Sequence, residues 1–320
     1  MSAATTTLFE ALVPVFFGLG LGYYAGWRGR VDNRNVAALN VTLMHFVLPC
    51  SLFLAVGRTP LTQLRTQSLL VAILAIAMVS IYVIVYVLGR KAFGKSSSEA
   101  AVQSLTVAFS NNVAVGLPLL ASLYGGGGVV AAAAAIMVGV LVISPMTLVL
   151  LECDAAVDEG ASLPMLKRLG PAVGASLRRP VILAPLCGLV LPLTGQHIPM
   201  VAASALDLVG KATVGLALFL TGLILSAQRL QVSGAVVSGV LLKNVVQSAL
   251  VFALIVVFHV RGDIAREAFL LAAVPAGFFG TVFGARYGVS SREASSTLVL
   301  STCMSLLTLP AAILLSGYLG

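Results

Sequence analysis

Several polar side chains interrupt an otherwise apolar stretch of the sequence, VAFSNNVAVGLPLLASLYGGGG. Ser110, Asn111 and Asn112 carry hydrogen-bonding groups, and Gly116 and Pro118 disfavour a continuous helix. A helix broken within hydrocarbon frees backbone N–H and C=O groups, which protein, water or a ligand must satisfy. The N-terminal end of a half-helix also has a partial positive charge that suits an anion. The stretch therefore predicts a polar pocket in mid-membrane, or alternatively amides that hydrogen-bond neighbouring helices.

A second interruption is found in the stretch AVPAGFFGTVFGARYG. Here Pro275 is followed by Gly277, Gly280 and Gly284. Proline lacks the N–H that a helix interior needs, and glycine lets another backbone approach closely. The pattern predicts a second broken helix. Broken helices at corresponding positions of two halves are typical of a substrate site in membrane carriers.

Ionisable side chains within apolar stretches are candidates for function, and three of them share a helix face with another polar residue. Asp207 and Lys211 are four residues apart in ALDLVGKATVGLALF and share one helix face. They predict either a self-neutralising ion pair or a carboxylate that exchanges protons as a coupling site. Lys243, in GVLLKNVVQSALV, shares a face with Gln247. It is predicted either to reach the membrane interface or to contact an anionic substrate.

The sequence contains no pattern typical of an enzyme. HExxH, GxSxG and P-loop motifs are absent. His45, His197 and His259 are too far apart in sequence to suggest a metal cluster. The four cysteines form neither a CxxC pair nor a disulfide framework. We therefore predict no catalytic residues, no metal and no cofactor.

The composition points to a lipid environment. The 320 residues are 59% hydrophobic and only 9% charged, whereas a soluble domain has about 25% charged residues. The net charge is +8, but the cations lie in short loops between apolar runs and form no basic patch with interleaved aromatic residues. They therefore predict orientation in a membrane rather than binding to nucleic acid.

Ten apolar segments are long enough, or nearly so, to cross a bilayer. A hydrocarbon core of about 30 Å needs about 20 helical residues. The predicted spans, numbered one to ten, cover residues 8–27, 36–56, 67–89, 100–123, 127–151, 180–195, 199–226, 234–259, 267–288 and 295–317. The sixth is short, and the fourth and ninth contain the two interruptions. The sequence thus predicts an all-α integral membrane protein.

The loop cations predict how the chain is oriented. Twelve lysines and arginines lie in loops after odd-numbered spans, and four follow even-numbered spans, namely Arg58, Arg65, Arg261 and Arg266. Because positively charged loops stay in the cytoplasm, the odd-numbered loops are predicted to be cytoplasmic. Both termini are then outside, and the membrane is the inner (plasma) membrane of a bacterial-type cell.

The predicted spans divide into two sets of five. The longest hydrophilic segment, residues 152–179, separates a first repeat (1–151) from a second (180–320). An odd number of spans makes the second half enter the membrane in the opposite sense, as in an inverted-topology repeat. Spans four and nine occupy the same place in each half, so we predict discontinuous helices at corresponding positions of the two repeats. The alternative is that the division into two fives is accidental.

Four stretches resemble the auxin efflux carrier family, which includes bacterial malonate and malate transporters. They are GYYAGWRGRVDNRNVAALNVTLMHFVLPCSLF, FSNNVAVGLPLL, LVGKATVGLALFLTGLIL and VPAGFFGTVFGARYGV, in this order along essentially the whole chain. The resemblance implies an architecture related to the bile acid–sodium symporters, with substrate bound where spans four and nine cross. By position it marks Asn40, Asn111, Asn112, Gly116, Pro118, Lys211 and Pro275. The sequence has no acidic cluster suited to sodium.

These features predict a secondary transporter of small organic anions, such as malonate, malate or auxin-like acids, that works by alternating access. The substrate carboxylate is expected to meet half-helix N-termini and the amides of Asn111 and Asn112, with Lys211 or Lys243 supplying further positive charge. A proton is the candidate coupling ion, through Asp207. Small-residue helix faces would permit a homodimer. The alternative is a membrane sensor that binds a ligand without moving it.

Overall fold

A computed structural model describes residues 3–33, 36–158, 178, 180–227, 230–290 and 292–319. Within these residues the regular structure is helical, and the single β-type contact is an isolated antiparallel bridge between Ser110 and Ala276. The prediction of an all-α protein is confirmed for this part of the chain.

Thirteen helices are present in the described residues. Their bounds are α1 Ala3–Trp27, α2 Ala37–Gly57, α3 Leu61–Lys91, α4 Ser97–Ala108, α5 Leu117–Val138, α6 Ser144–Asp158, α7 Pro180–Thr194, α8 Met200–Gly210, α9 Ala212–Ala227, α10 Gly234–Val257, α11 Asp263–Ala273, α12 Phe279–Arg286 and α13 Arg292–Ser316.

Four π turns widen these helices. They are Leu43–Val47 in α2, Asn112–Gly116 before α5, Gly139–Ile143 between α5 and α6, and Leu242–Val246 in α10. The first three precede a proline by two residues, at Pro49, Pro118 and Pro145. Because proline has no N–H for the carbonyl four residues before it, the helix there shifts locally to hydrogen bonds between residues five apart. Proline spacing in the sequence thus places three of the four π turns.

A sharp bend lies inside α5 at Gly125, whose φ is +58°. This left-handed conformation favours glycine. A Cβ at Gly128 would lie 2.1 Å from the carbonyl oxygen of Leu120, although in a straight helix these residues would be separated by a rise of about 12 Å. The chain therefore turns back at Gly125, between predicted spans four and five.

Six helical runs of the described chain are long and apolar enough to cross a membrane. They are Ala37–Gly57, Gln67–Lys91, Asn112–Leu151, Met200–Ala227, Gly234–Val257 and Arg292–Leu319. The helix α7 is apolar but shorter. Predicted span nine is divided between α11 and α12, and the run Asn112–Leu151 contains the bend at Gly125. The structure is that of a multi-pass membrane protein, and the number of ten spans stays a prediction.

The helices pack in two groups that meet along a boundary, called the seam below. In the scaffold group, α1 packs along α9, and α2 packs along α7 and α8. In the crossing group, α3, α4, α6 and α10 to α13 pack on one another. The helix α5 contacts helices of both groups. The second interrupted helix, α11 and α12, lies in the crossing group, whereas the first also contacts the scaffold, through α5 and through the π turn Asn112–Gly116, on which α9 packs.

The end of α6 differs from the sequence prediction. The predicted span ends at residue 151, but the helix continues to Asp158. Its last turns are held because the backbone N–H and the hydroxyl of Ser98 donate hydrogen bonds to the carboxylate of Asp154, at 2.9 and 2.6 Å. The carboxylate thereby satisfies a free N–H at the start of α4. Of the predicted connecting loop, residues 159–177 and 179 lie outside the described residues.

Candidate functional site

The two interruptions meet through backbone atoms. The first separates α4 from the π turn Asn112–Gly116, and the second separates α11 from α12. The N–H of Asn111 donates to the carbonyl of Pro275 at 2.9 Å, and the N–H of Gly277 donates to the carbonyl of Thr106 at 3.0 Å. Groups freed by breaking the helices are therefore used to join them.

This close approach of the two backbones requires a glycine at position 277. A Cβ at this position would lie 2.2 Å from the carbonyl oxygen of Phe109, well inside van der Waals contact. The ring of Phe109 stacks on Phe279 with 4.8 Å between the ring centroids. Side-chain packing and backbone contact thus hold the first interruption against the second.

Lys243 holds the C-terminal ends of both broken helices. Its side chain is fully buried, with 0% exposure, so it does not reach the membrane interface. The ammonium donates to Ser110 Oγ at 2.6 Å, to Gln247 Oε1 at 2.8 Å and to the carbonyl of Ala272 at 2.9 Å. Gln247 Nε2 donates in turn to the carbonyl of Ala108 at 3.1 Å.

These contacts place a cation where two helices present their negative ends. Ala108 is the last residue of α4, and Ala272 is the last but one of α11. A helix C-terminus has a partial negative charge, which a nearby cation stabilises. An ammonium has three donors, and Lys243 uses all three within the protein. Direct contact with a substrate would therefore require one of these hydrogen bonds to break.

Two further residues brace the second interruption. Ser301 Oγ, on α13, donates to Asn244 Oδ1 at 2.6 Å and accepts from the N–H of Ala276 at 2.9 Å. Asn244 Nδ2 donates to the carbonyl of Ser301 at 3.1 Å. Sequence analysis did not assign Asn244 or Ser301 to the site, because nothing local distinguishes a serine in α13 from one that bonds its own helix.

Asn111 and Asn112 keep unpaired polar atoms in the interior. Their exposures are 1% and 0%. Asn111 Nδ2 and both polar side-chain atoms of Asn112 have no hydrogen-bond partner among the described residues. Gly116 borders this space, since a Cβ there would lie 2.9 Å from Asn112 Oδ1. Buried polar groups are nearly always paired, so these amides are available to a ligand.

A third polar group of this kind comes from the scaffold. Thr221 is fully buried on α9, and its hydroxyl has no partner in the described chain. The helix α9 packs on the π turn Asn112–Gly116. Pro118 is the second residue of α5, directly after that turn. Sequence analysis missed Thr221, which looks like an ordinary polar residue in an apolar helix.

A cavity of about 520 Å³ lies on the seam beside the crossing. The scaffold group contributes residues of α2, α8 and α9, and α5 supplies the opposite wall. Leu117, which follows the π turn directly, lines its wall. Arg58 also lines it, together with Asp207 and Lys211. We call this cavity the vestibule.

Asp207 and Lys211 form an ion pair in the vestibule and do not lie in the crossing. Lys211 Nζ is 2.7 Å from Asp207 Oδ2, and the side chains are 75% and 37% exposed, respectively. This geometry agrees with the self-neutralising pair predicted from their spacing. Asn40 lies in the first turns of α2, half-buried, and its Oδ1 has no hydrogen-bond partner among the described residues, so its place in the site stays a prediction.

The other end of the molecule is held by a polar network. Lys95 Nζ lies 2.9 Å from Glu293 Oε1, and Ser233 Oγ donates to the same oxygen at 2.9 Å. Lys95 lies four residues after Lys91, the last residue of α3. Pro60 directly precedes the first residue of α3 and lines the vestibule. The 31-residue α3 is about 46 Å long. The vestibule and the Lys95–Glu293 pair therefore lie at opposite ends of the protein.

Comparison with known proteins gives a consistent result across nearly the whole chain. A family model described as membrane transport protein matches residues 7–313. An Escherichia coli (strain K12) protein named "Uncharacterized transporter YfdV" is 25% identical over 308 residues, covering 95% of this chain and 96% of the relative.

Two further relatives have names that include a substrate. "Probable auxin efflux carrier component 5c" of Oryza sativa subsp. japonica is 22% identical, with 96% of both chains covered. "Putative malonate transporter" of Rhizobium meliloti (strain 1021) is 25% identical, with 93% of this chain and 92% of the relative covered. The matches cover 92–96% of the relatives' lengths, and the range matched by the family model, residues 7–313, includes both interruptions.

Proposed function

The chain belongs to the membrane transport protein family, which includes the auxin efflux carriers, and we propose that it is a secondary transporter of small organic anions. The family transports solutes and is not an enzyme family. The substrates that we propose are mono- or dicarboxylates, such as malonate, malate or auxin-like acids, because two relatives carry names of this kind. The mechanism that we propose is alternating access.

The observation that carries the proposal is the set of unpaired amide groups at the crossing. Asn111 Nδ2 and Asn112 Nδ2 are hydrogen-bond donors without partners in the described chain, and a carboxylate accepts such donors. The two helix C-termini are already occupied by Lys243 and Gln247. The N-terminal ends of α5 and α12 therefore remain to contribute positive potential. The balance of charge at the crossing favours an anion.

The vestibule supports a route to this site. It carries Arg58 and Lys211 against one carboxylate, Asp207, so its lining has one excess positive charge. A positive cleft raises the local concentration of anions. Leu117 connects its wall to the turn that holds Asn112. We place the substrate between this turn, Pro275 and Gly277, with the vestibule as its entrance.

The proposed architecture is ten spans in two inverted five-helix repeats. In such a repeat, span one of the first half corresponds to span six of the second half, and span two corresponds to span seven. The contact of α1 with α9 (spans one and seven) then becomes the contact of α7 with α2 (spans six and two), and both contacts are present. The two interruptions exchange in the same way. In this scheme the crossing group moves against the scaffold group along the seam.

The proposed location is the inner membrane, with both termini outside, on the basis of the loop cations. The vestibule then opens outward, because Arg58 lies in an even-numbered loop. The Lys95–Glu293 pair lies on the cytoplasmic side. The described conformation is accordingly assigned as open to the outside and closed to the cytoplasm.

Uptake into proteoliposomes tests the proposal. Wild-type protein is expected to accumulate labelled malonate, malate or an auxin-like acid, and Asn112→Ala is expected to reduce uptake about tenfold or more, since one lost hydrogen bond to a charged group is worth about 1.5–3 kcal/mol. Asn33→Ala is the matched control, because Asn33 Nδ2 bonds Ser226 Oγ at 2.8 Å outside the crossing. Its uptake should equal that of the wild type.

The same material distinguishes a transporter from a sensor. A carboxylate that raises the melting temperature of the wild type but is never accumulated would favour the sensor. Equal uptake by wild type and Asn112→Ala would remove the crossing from the binding site.

A further inference from the structure

One buried carboxylate has no assigned role in the scheme above. Glu267, on α11, is 3% exposed. It lies one turn after Asp263, the first residue of α11, within predicted span nine. An ionised carboxylate removed from water needs a cation or several hydrogen bonds. The partners of Glu267 therefore decide what this group can do.

The described partner of Glu267 is a neutral amide. Gln67 Nε2, on α3, lies 3.3 Å from Glu267 Oε2. The neighbouring Arg266 has its Nη1 3.7 Å from Asp263 Oδ1, and its Nε has no hydrogen-bond partner among the described residues. A distance of 3.3 Å to a neutral donor is weak compensation for a charge. The described hydrogen bond to Glu267 is therefore too weak to offset the free-energy cost of burying an ionised carboxylate.

Other ionisable groups surround this pair at a distance. Asp263 and Arg266 share its helix, and Tyr124 of α5 is close enough to interact electrostatically with all three residues. On α10, Lys243 lies at the other end of α11, at the carbonyl of Ala272. Tyr318 lies in the turn Gly317–Leu319, which also packs on α11. Among these described groups, none forms an ion pair with Glu267 within 4.0 Å. A bound proton would neutralise the carboxylate.

A glutamine can form a hydrogen bond with a carboxyl group in either of its protonation states. Its amide has both a donor and an acceptor, and a half-turn of the amide exchanges them. Gln67 Nε2 can donate to the ionised carboxylate, and Gln67 Oε1 can accept from the protonated one. An arginine in place of Gln67 would stabilise only the ionised form of Glu267. A metal cation would require more oxygen ligands than one carboxylate and one amide supply.

The pair also lies where the two helix groups separate. Gln67 is 6% exposed, its Oε1 has no described partner, and it lines a cavity of about 470 Å³. The cavity walls come from α2 and α7 of the scaffold group, from α3 of the crossing group and from the chain of α5 and α6. The cavity therefore straddles the seam. A movement of one group along the other would change the access of water to Gln67, the hydrogen-bond partner of Glu267.

We propose that Glu267 binds and releases the coupling proton of the transport cycle, with Gln67 as the partner that serves both protonation states. One proton from water on one side of the membrane binds a carboxylate oxygen of Glu267, and the same proton leaves to water on the other side after the crossing group has moved. No electron or other atom is transferred. This inference depends on the proposed transport function, and it assigns the proton to a residue other than Asp207.

Transport driven by a pH gradient tests the assignment. Proteoliposomes are loaded with wild type, Glu267→Gln or Asp207→Asn, and labelled malonate is offered in net uptake and in exchange against internal malonate. Glu267→Gln is expected to lose accumulation driven by the pH gradient at least tenfold and to keep exchange. Asp207 lines the proposed entrance, so Asp207→Asn can change the rate of uptake, but its accumulation is expected to remain driven by the pH gradient. The assignment fails if accumulation by Glu267→Gln still follows the pH gradient, or if Asp207→Asn loses this dependence instead.

A labelling experiment on the wild type is independent of transport and of mutant folding. Dicyclohexylcarbodiimide reacts with protonated carboxyl groups in apolar surroundings, and mass spectrometry of the peptides identifies the modified residue. Glu267 is expected to be modified, at a rate that falls as the pH is raised, while the half-exposed Asp207 is not. Gln67→Leu removes the partner of both states and is expected to shift the pH at which the rate falls.

The transport and labelling experiments together distinguish a failure of the proposed transport function from a failure of the proposed proton site. If wild type moves no carboxylate but Glu267 is modified with this pH dependence, the transport function fails and the proton site stands. An unmodified Glu267, or a rate that does not change with pH, overturns the proton site even if malonate uptake is observed.

Discussion

Replacement of Lys243 by methionine tests how the crossing is held. Methionine has a similar length and fills most of the same volume, so the main change is loss of the ammonium. Ser110 Oγ, Gln247 Oε1 and the Ala272 carbonyl each lose a donor. An unpaired buried polar group costs about 1–3 kcal/mol, while removal of a buried charge returns part of this free energy. We expect a net loss of unfolding free energy of about 2–4 kcal/mol.

The assay is thermal unfolding of the purified protein in detergent. At about 2–4 °C per kcal/mol, Lys243→Met should lower the melting temperature by about 5–15 °C. Lys211→Met is the matched control, since its ammonium is 75% exposed in a local ion pair, and its melting temperature should remain within about 1 °C of the wild type. If Lys243→Met has the same melting temperature as the wild type, the ammonium does not hold the two helix ends, and the explanation given for its burial is wrong.

Three further substitutions probe other contacts. Gly277→Ala should prevent accumulation of folded protein, because the new Cβ would meet the carbonyl of Phe109 at 2.2 Å; yield and size-exclusion profile measure this. Glu293→Gln should weaken the closed end by removing the charge that pairs with Lys95, which should raise the rate at which a water-soluble maleimide labels a cysteine placed behind the pair. Asp154→Asn should lower the melting temperature by about 2–6 °C, because the hydrogen bonds at the start of α4 lose their charge, at a cost of about 1 kcal/mol or slightly more.

The glycine substitution has a matched control in the same chain. Gly215→Ala should be harmless, since a Cβ there would contact nothing within 4 Å. The labelling site is Gln103→Cys in a background without native cysteines, because Gln103 lines the small cavity beside Glu293. Normal folding of Gly277→Ala, an unchanged labelling rate in Glu293→Gln, or an unchanged melting temperature in Asp154→Asn would each refute the corresponding contact.

Features that depend on neighbours in sequence were predictable. Pro275 lies in the second interruption, and Pro118 accounts for the π turn that follows the first, because the missing N–H of proline acts on the carbonyl four residues before. Asp207 and Lys211 are four residues apart, which suffices to predict their ion pair. The family was also identified from short stretches, and the match over residues 7–313 confirms it.

Features that depend on distant residues were not predictable. Ser110, one partner of Lys243, is 133 residues away, and the Ala272 carbonyl has no side-chain signature at all. Glu267 is paired with Gln67 from 200 residues away. A single sequence shows that such groups are polar and intramembrane, but only the packing of α3, α10 and α11 shows what they touch. The role of Thr221 was hidden for the same reason.

The joining of the two interruptions by main-chain atoms bears on how such a carrier diversifies. Amide N–H and carbonyl groups are common to nearly all residue types, so the junction between Asn111 and Pro275 does not depend on which side chains project from it. Solute preference can then drift, or be redesigned, by exchanging residues such as Asn112 while the framework persists. A directed-evolution library should randomise that position and leave Gly277 untouched.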